Sequence, residues 1–370
     1  MKSVRVLIID DSALVRELLT ALLGQDPGIE VVGAAPDAYI ARTMIKTLDP
    51  DVLTLDIEMP RMDGVTFLRN VMRLHPMPVV MVSSLTAKGA QITLQCLALG
   101  VVDFVSKPKL DESTDIDGYA REVIAKIKGA AADNVRVSTR SRDSTTRRTP
   151  TRPEPTRATP RESHRSLTPG DTLIGIAAST GGVEAIHDVL EALPADVPPV
   201  VVAQHIPATF SAAWAKRINR DTAIEVREAA DGEEILHGHA YIAAGGQHLA
   251  VMKHLSGYIC RVTDDPPVNH QRPSCDTLFR SVAKAMGASA IGVILTGMGE
   301  DGARGLLEMQ ARGAKTIAQD EATSVVWGMP GTAVSLGAVD HVLPLEKVAA
   351  RITQLAGAGC SILAHSTTPR

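Results

Sequence analysis

Two doubly wound, mainly parallel α/β units in series, joined by a disordered tether, are the architecture this sequence predicts. Three observations carry it. The chain has 370 residues, enough for two or three domains that each bury a core. On either side of its middle, short β-branched runs alternate with amphipathic helical stretches, the pattern of a parallel sheet covered on both faces. Between them, residues 136–165 hold nine Arg, three acids, eleven Ser or Thr and four Pro, with only Val137 and Ala158 as apolar side chains. Such a segment buries too little to offset its ordering entropy, and its like charges keep it extended. The expected boundaries are 1–128 for the first unit, 129–168 for the tether, 169–356 for the second unit and 357–370 for a C-terminal tail.

Composition excludes several classes of function. Residues 1–128 carry 14 Lys or Arg against 17 acids, and residues 166–370 carry 15 against 21, so both units are mildly acidic. A nucleic-acid partner is not expected: the Arg run reads as a solvated linker rather than a basic arm, and aromatics, at 3%, supply no stacking platform. Cys96, Cys260, Cys275 and Cys360 are widely spaced, with no pattern that closes a zinc site. They read as reduced thiols of a cytoplasmic protein. Asp10 and Asp11 interrupt the apolar start before an export signal forms, and no run approaches the roughly 18 to 20 apolar residues that insert into a membrane.

In the first unit the expected strands are Val4–Ile9, Ile29–Ala34, Val52–Leu55, Val79–Val82 and Val101–Val105, with Leu14, Leu18, Leu19 and Leu22 at helical spacing after the first. Ligands of such sheets bind at the carboxyl ends of the strands. There the sequence places Asp10 and Asp11, then Asp56, then Ser83 and Ser84, then Lys107 and Pro108. Taken alone, Asp10 or Asp11 serves equally as a helix cap. Three carboxylates on one rim, however, repel unless a hard cation such as magnesium neutralises them.

This set resembles a response-regulator receiver domain, over the whole first unit, and the resemblance implies a flavodoxin-like fold. It implies that Asp56 accepts a phosphoryl group, that Asp10 and Asp11 with Asp56 hold Mg2+, and that Ser83 is the switch hydroxyl. Lys107 would contact the phosphoryl group and Phe104 would be the aromatic that changes rotamer. The residue types suit that chemistry: a carboxylate forms an acyl phosphate, cations neutralise the developing charge, and a hydroxyl pulls its loop toward the new oxygens.

The second unit opens with an expected strand, Thr172–Ala177, followed by Ser179-Thr180-Gly181-Gly182 and a helix with Val183, Ile186, Val189 and Leu190 on one face. A hydroxyl at a strand end beside a helix N-terminus suits a nucleophile. A simple helix cap fits that motif equally well. The strand Val200–Ala203 leads into Gln204-His205-Ile206-Pro207, and Ala290–Leu295 leads into Thr296-Gly297-Met298-Gly299-Glu300-Asp301-Gly302, with a helix from Ala303. Hydroxyl, imidazole and carboxylate thus follow three strands of one sheet, the set an activated serine needs. His205 would take the Ser179 proton and Asp301 would orient the imidazole. The backbone of Gly297–Gly299 would meet an oxyanion, Met298 being the foremost donor, with Thr180 beside it. The order Ser, His, Asp departs from that of α/β-hydrolases.

The order of these motifs resembles the chemotaxis protein-glutamate methylesterases over essentially the whole chain. Residues Pro267–Asp276 and Gly328-Met329-Pro330 fit the same pattern, which has His, Val and Met where Gln271, Cys275 and Ile206 stand. The resemblance implies hydrolysis of glutamate methyl esters on chemoreceptors and deamidation of receptor glutamines, with no cofactor for the esterase step. It also implies phosphorylation of the receiver by a chemotaxis histidine kinase. Two other readings are weighed: a DNA-binding response regulator, disfavoured by the acidic second unit, and a receiver-regulated serine acyl hydrolase acting on a non-receptor protein. His237 and His239, flanking Gly238, read as exposed turn residues, and Asp231-Gly232-Glu233-Glu234 as a turn.

Overall fold

A computed structural model of the chain describes residues 3–83, 86–107, 116–143, 165–255 and 257–363. It divides into two compact units, Met1–Arg157 and Ala158–Arg370.

In the first unit the strands β1 (Val4–Ile9), β2 (Ile29–Ala35), β3 (Val52–Asp56), β4 (Val79–Ser83) and β5 (Asp103–Ser106) alternate with helices α1 (Ala13–Leu23), α2 (Ala38–Leu48), α3 (Gly64–Leu74), α4 (Ala87–Ala98) and α5 (Ile116–Asp143). All strand pairs are parallel, in the order β2-β1-β3-β4-β5, the flavodoxin-like arrangement. β3 is buried throughout, as a strand covered on both faces must be. Ser12, and neither Asp10 nor Asp11, caps α1: its hydroxyl accepts from the Val15 N–H, which frees the two acids for the rim.

The second unit contains β6 (Leu173–Ala178), α6 (Gly182–Glu191), β7 (Val200–Gln204), α7 (Ala208–Asp221), β8 (Glu225–Glu228), β9 (His239–Ile242), β10 (His248–His254), β11 (Gly257–Thr263) and α8 (Cys275–Met286). It continues with β12 (Ala290–Ile294), α9 (Ala303–Ala311), β13 (Lys315–Gln319), α10 (Met329–Ser335), β14 (His341–Leu343) and α11 (Leu345–Leu363). Seven parallel strands run β14-β13-β12-β6-β7-β9-β8, and β10 and β11 form a separate antiparallel pair. After β6 the chain winds one way through β7 and β9, and later the other way through β12 and β13. The switch point of the sheet therefore lies beside β6, and ligand crevices form at such points. Phe279 of α8, fully buried, packs where Gly305 and Gly175 leave room: a Cβ on either would stand 2.8 or 3.3 Å from its atoms.

The segments between the units begin and end differently from the expectation. α5 continues past residue 128 to Asp143, because Ala130 is fully buried and the run Ala130-Ala131-Ala132 favours helix. At the other side Leu167 is buried and its N–H donates to the Ile235 carbonyl, while Arg165 pairs with Asp171. Those residues belong to the second unit. Residues 144–164 of the expected tether and 364–370 of the expected tail lie outside the described residues.

Candidate active site

Ser179 leaves the carboxyl end of β6 and is pinned from three sides. Its N–H donates to the Thr296 carbonyl (3.0 Å), and its own carbonyl accepts from Gly182 N–H (2.8 Å) and from the Gln204 side-chain amide (2.8 Å). Gly181, with φ of 75°, makes the turn that a side chain would strain. Gly181 is also the N-cap of α6, with no side-chain cap, so the Ser179 hydroxyl does not cap the helix. It turns instead toward His205, whose Nδ1 lies 3.1 Å from Ser179 Oγ.

The other ring nitrogen, Nε2, lies 2.8 Å from Asp301 Oδ2. A carboxylate on Nε2 assigns the proton there and leaves Nδ1 as the acceptor for the serine hydroxyl. The ring is thus presented the opposite way from triads in which Nε2 faces the serine. Asp301 is 4% exposed and does not cap α9, whose N-cap is Gly302. Burial pushes the Asp301 carboxyl up, but the His205, Asn269 and Cys275 N–H donors outweigh it and hold the group at about 2.

The loop after β12 lies against Ser179. A Cβ on Gly297 would stand 2.9 Å from Ser179 Cβ and 2.3 Å from Met329 Sδ, so only glycine allows this approach. The loop is anchored by Gly297 N–H to the Val326 carbonyl and by the Thr296 hydroxyl to the Thr180 carbonyl, both 3.0 Å. Met298 is exposed and Thr180 is buried. Ser179, His205, Asp301, Thr180 and Met298 are therefore gathered around the switch point of one sheet.

In the first unit Asp10, Asp11 and Asp56 present carboxylate oxygens within 4.8 Å of one another. Lys107 Nζ reaches Asp10 Oδ2 at 2.9 Å and Asp56 Oδ2 at 2.8 Å. Asp10 and Asp56 are buried and Asp11 is exposed, a set of hard oxygen donors that fits Mg2+. Burial, with the Asp10 charge adding to it, pushes the Asp56 carboxyl up to about 6 against the pull of Lys107. Gly64 abuts this acid: a Cβ there would stand 2.1 Å from the Asp56 carbonyl oxygen. Phe104 is buried beneath the Lys126 ammonium, 5.2 Å from its ring centre. Ser83 ends β4 with its side chain outside the described set, and Ser84 and Pro108 lie outside the described residues.

Comparison with known proteins gives matches to both units. The model for "response regulator receiver domain" matches residues 6–115 and that for "CheB methylesterase" matches residues 174–352. A protein-glutamate methylesterase/protein-glutamine glutaminase 1 of Xanthomonas campestris pv. campestris is 56% identical over 95% of this chain and 97% of its own. A protein of the same name, without the number, from Hydrogenovibrio crunogenus is 49% identical over 96% and 99%. The crystal structure of the Thermotoga maritima CheB methylesterase catalytic domain is 34% identical, covers 50% of this chain and 98% of its own, and superposes with a TM-score of 0.49.

The chain belongs to the CheB methylesterase family. In this CheB methylesterase, Ser179, His205 and Asp301 fall inside the catalytic-domain match, and Asp10, Asp56 and Lys107 inside the receiver match. No helix among the described residues is long and apolar enough to cross a membrane.

Several residues that build the site carried no role in the sequence reading. Gln204 holds the Ser179 and His205 carbonyls, at 2.8 and 3.2 Å. Asn269 Nδ2 and Ser274 Oγ both donate to Asp301 Oδ1, at 2.8 and 2.9 Å. Their sequence neighbours gave a motif but no contact, since 27 to 32 residues separate them from Asp301. His239 overturns its expectation: it is buried in β9, held by the His237 carbonyl at 3.0 Å and facing Glu225 at 3.4 Å.

Proposed function

We propose that this chain is a phosphorylation-regulated hydrolase that removes methyl groups from glutamate methyl esters on chemoreceptors and deamidates specific receptor glutamines to glutamate. One observation carries the reading: the relay from Ser179 Oγ through His205 to Asp301, at 3.1 and 2.8 Å, in a chain whose curated relatives bear the name methylesterase/glutaminase.

Ser179 Oγ attacks the side-chain acyl carbon of the ester or amide while its proton passes to His205 Nδ1. Asp301, ionised and fully hydrogen-bonded, stabilises the imidazolium through Nε2–H. Charge on the former carbonyl oxygen is met by N–H groups of the Gly297–Gly299 loop, Met298 foremost, with Thr180 beside them. Collapse of the tetrahedral adduct breaks the C–O or C–N bond. The imidazolium proton leaves with methanol or ammonia, and a glutamyl ester remains on Ser179. Water, giving its proton to the same imidazole, then hydrolyses that ester to a free glutamate carboxylate.

Asp56 is the phosphoryl acceptor from a chemotaxis histidine kinase. Asp10, Asp11 and Asp56 would hold Mg2+, which when bound supplies charge neutralisation to phosphoryl transfer. Lys107 adds a cation to the same oxygens, and Ser83 and Phe104 pass the change outward. Phosphorylation of Asp56 shifts the population of the chain toward a form with higher esterase activity. Buried free thiols at Cys96, Cys260 and Cys275 suit a reducing, cytoplasmic setting.

The experiment is a comparison of methanol release from a methylated receptor fragment by the full chain and by a chain lacking residues 1–143, the whole of α5 included. Removal of the receiver raises the rate above that of the unphosphorylated full chain. An unchanged or lower rate contradicts inhibition by the receiver, and equal action on small model methyl esters contradicts receptor specificity.

A further inference from the structure

Beyond the three residues of the relay, we propose that Asn269 is a positioning residue of this hydrolase, its amide tying the Asp301 carboxylate to a second buried carboxylate, Asp276. The inference rests on the reading of Ser179, His205 and Asp301 given above. One NH2 group makes both contacts: Asn269 Nδ2 donates to Asp301 Oδ1 at 2.8 Å and to Asp276 Oδ2 at 3.0 Å. The two acids are 4% and 1% exposed, a pairing of like charges that repels unless a donor stands between them.

Asp276 is itself fixed. Its Oδ1 accepts from Gly305 N–H at 2.7 Å, in the first turn of α9, and its Oδ2 faces Arg280 Nη2 at 3.3 Å. Asn269 therefore bridges Asp301 to a carboxylate that is already held in place. On Asp301, Oδ1 takes Asn269, Ser274 Oγ and Asp276 N–H, while Oδ2 is left to His205 Nε2 and Cys275 N–H. That division of donors aims Oδ2 at the imidazole.

The backbone explains why asparagine stands there. Val268 and Gln271 exchange both backbone hydrogen bonds, at 3.1 and 2.9 Å, and the two residues between them have φ of 53° and 61°. This is a two-residue turn with positive φ at both positions, in which asparagine is among the few favoured side chains. The residue is exposed at the rim while its amide reaches inward. Water can replace the two donors when the amide is removed, but not their fixed direction.

The test uses the full-length chain with Asn269→Gly and Asn269→Asp, measuring kcat and KM for methanol release from a methylated receptor fragment. Rates are taken per active site, counted by the end point of fluorophosphonate labelling, and melting of each variant is followed. Glycine keeps the positive φ without strain and deletes the amide. Aspartate keeps shape and turn preference but sets a third carboxylate against the other two. The proposal expects Asn269→Gly to lower kcat about tenfold, the scale of one hydrogen bond to a charged group, with KM within about twofold. It expects Asn269→Asp to be slower still, although it is the closer match in shape. The reverse order, with Asn269→Asp near wild type, assigns Asn269 to packing and overturns the proposal, as does loss of folding in both variants. If Asn269→Gly alone fails to fold, an Asn269→Asp rate near wild type overturns it and a large loss supports it. A wild type that releases no methanol overturns the hydrolase reading and this inference together; an active wild type with unimpaired variants overturns only the inference.

Discussion

The Gln204 side-chain amide donates to the Ser179 carbonyl at 2.8 Å, so the residue before His205 holds the peptide of Ser179. The same nitrogen also reaches the His205 carbonyl at 3.2 Å, which ties the ends of β6 and β7 into one unit. Gln204→Leu preserves the approximate volume and removes both bonds. Steady-state kinetics should show kcat lowered by about tenfold or more, since small misplacements of reacting groups are costly. Retention of full kcat would make Gln204 a spectator.

Gly297→Ala tests the contact between the β12 loop and Ser179. The new Cβ meets Met329 Sδ at 2.3 Å and Ser179 Cβ at 2.9 Å, so the loop must shift. Overpacking of this kind costs about 1 to 3 kcal/mol of stability. Denaturant unfolding should report that loss, and fluorophosphonate labelling of Ser179 should slow with it.

Asp301→Asn keeps the shape of the side chain and reverses its role, favouring the wrong imidazole tautomer. A kcat loss of about 10³ to 10⁴ is expected, on the scale of the corresponding change in serine proteases. The native acid also stabilises the fold. Although burial pushes it up, its donors hold it at about 2, below its ordinary 3.8. A group with a depressed folded pKa contributes stability above its unfolded value and loses it as pH falls toward the folded one. Acid titration of unfolding between about pH 4 and 2 should therefore show ~2 kcal/mol lost in the native chain and a flatter curve in Asp301→Asn.

Asp56→Asn removes the proposed phosphoryl acceptor while leaving the second unit intact. A small phosphodonor with magnesium should then fail to raise methanol release, whereas the native chain responds. Stimulation that survives Asp56→Asn would place the switch elsewhere.

What the sequence disclosed follows how local each cause is. The strand Val4–Ile9 and the helix Ala13–Leu23 are set by adjacent residues and stand where patterning puts them. The fifth strand begins at Asp103 rather than Val101, because Gly100, with φ of 101°, closes α4 and spends the Val101 N–H on the Cys96 carbonyl. The four-residue strands β8 and β9 are too short to show a period, and His239 is satisfied by a partner 14 residues away, so its burial left no local sign. The gathering of Ser179, His205 and Asp301 was legible because each follows a strand end. The contacts of Gln204, Asn269 and Ser274 were not, since they cross the fold and no spacing rule encodes them.

The most direct measurement is release of labelled methanol from a methylated receptor cytoplasmic fragment by the native chain and by Ser179→Ala, each with and without a small phosphodonor and magnesium. Release that rises on phosphorylation and vanishes in Ser179→Ala is the predicted result. Release that persists in Ser179→Ala would contradict the assignment of the nucleophile and with it the central claim.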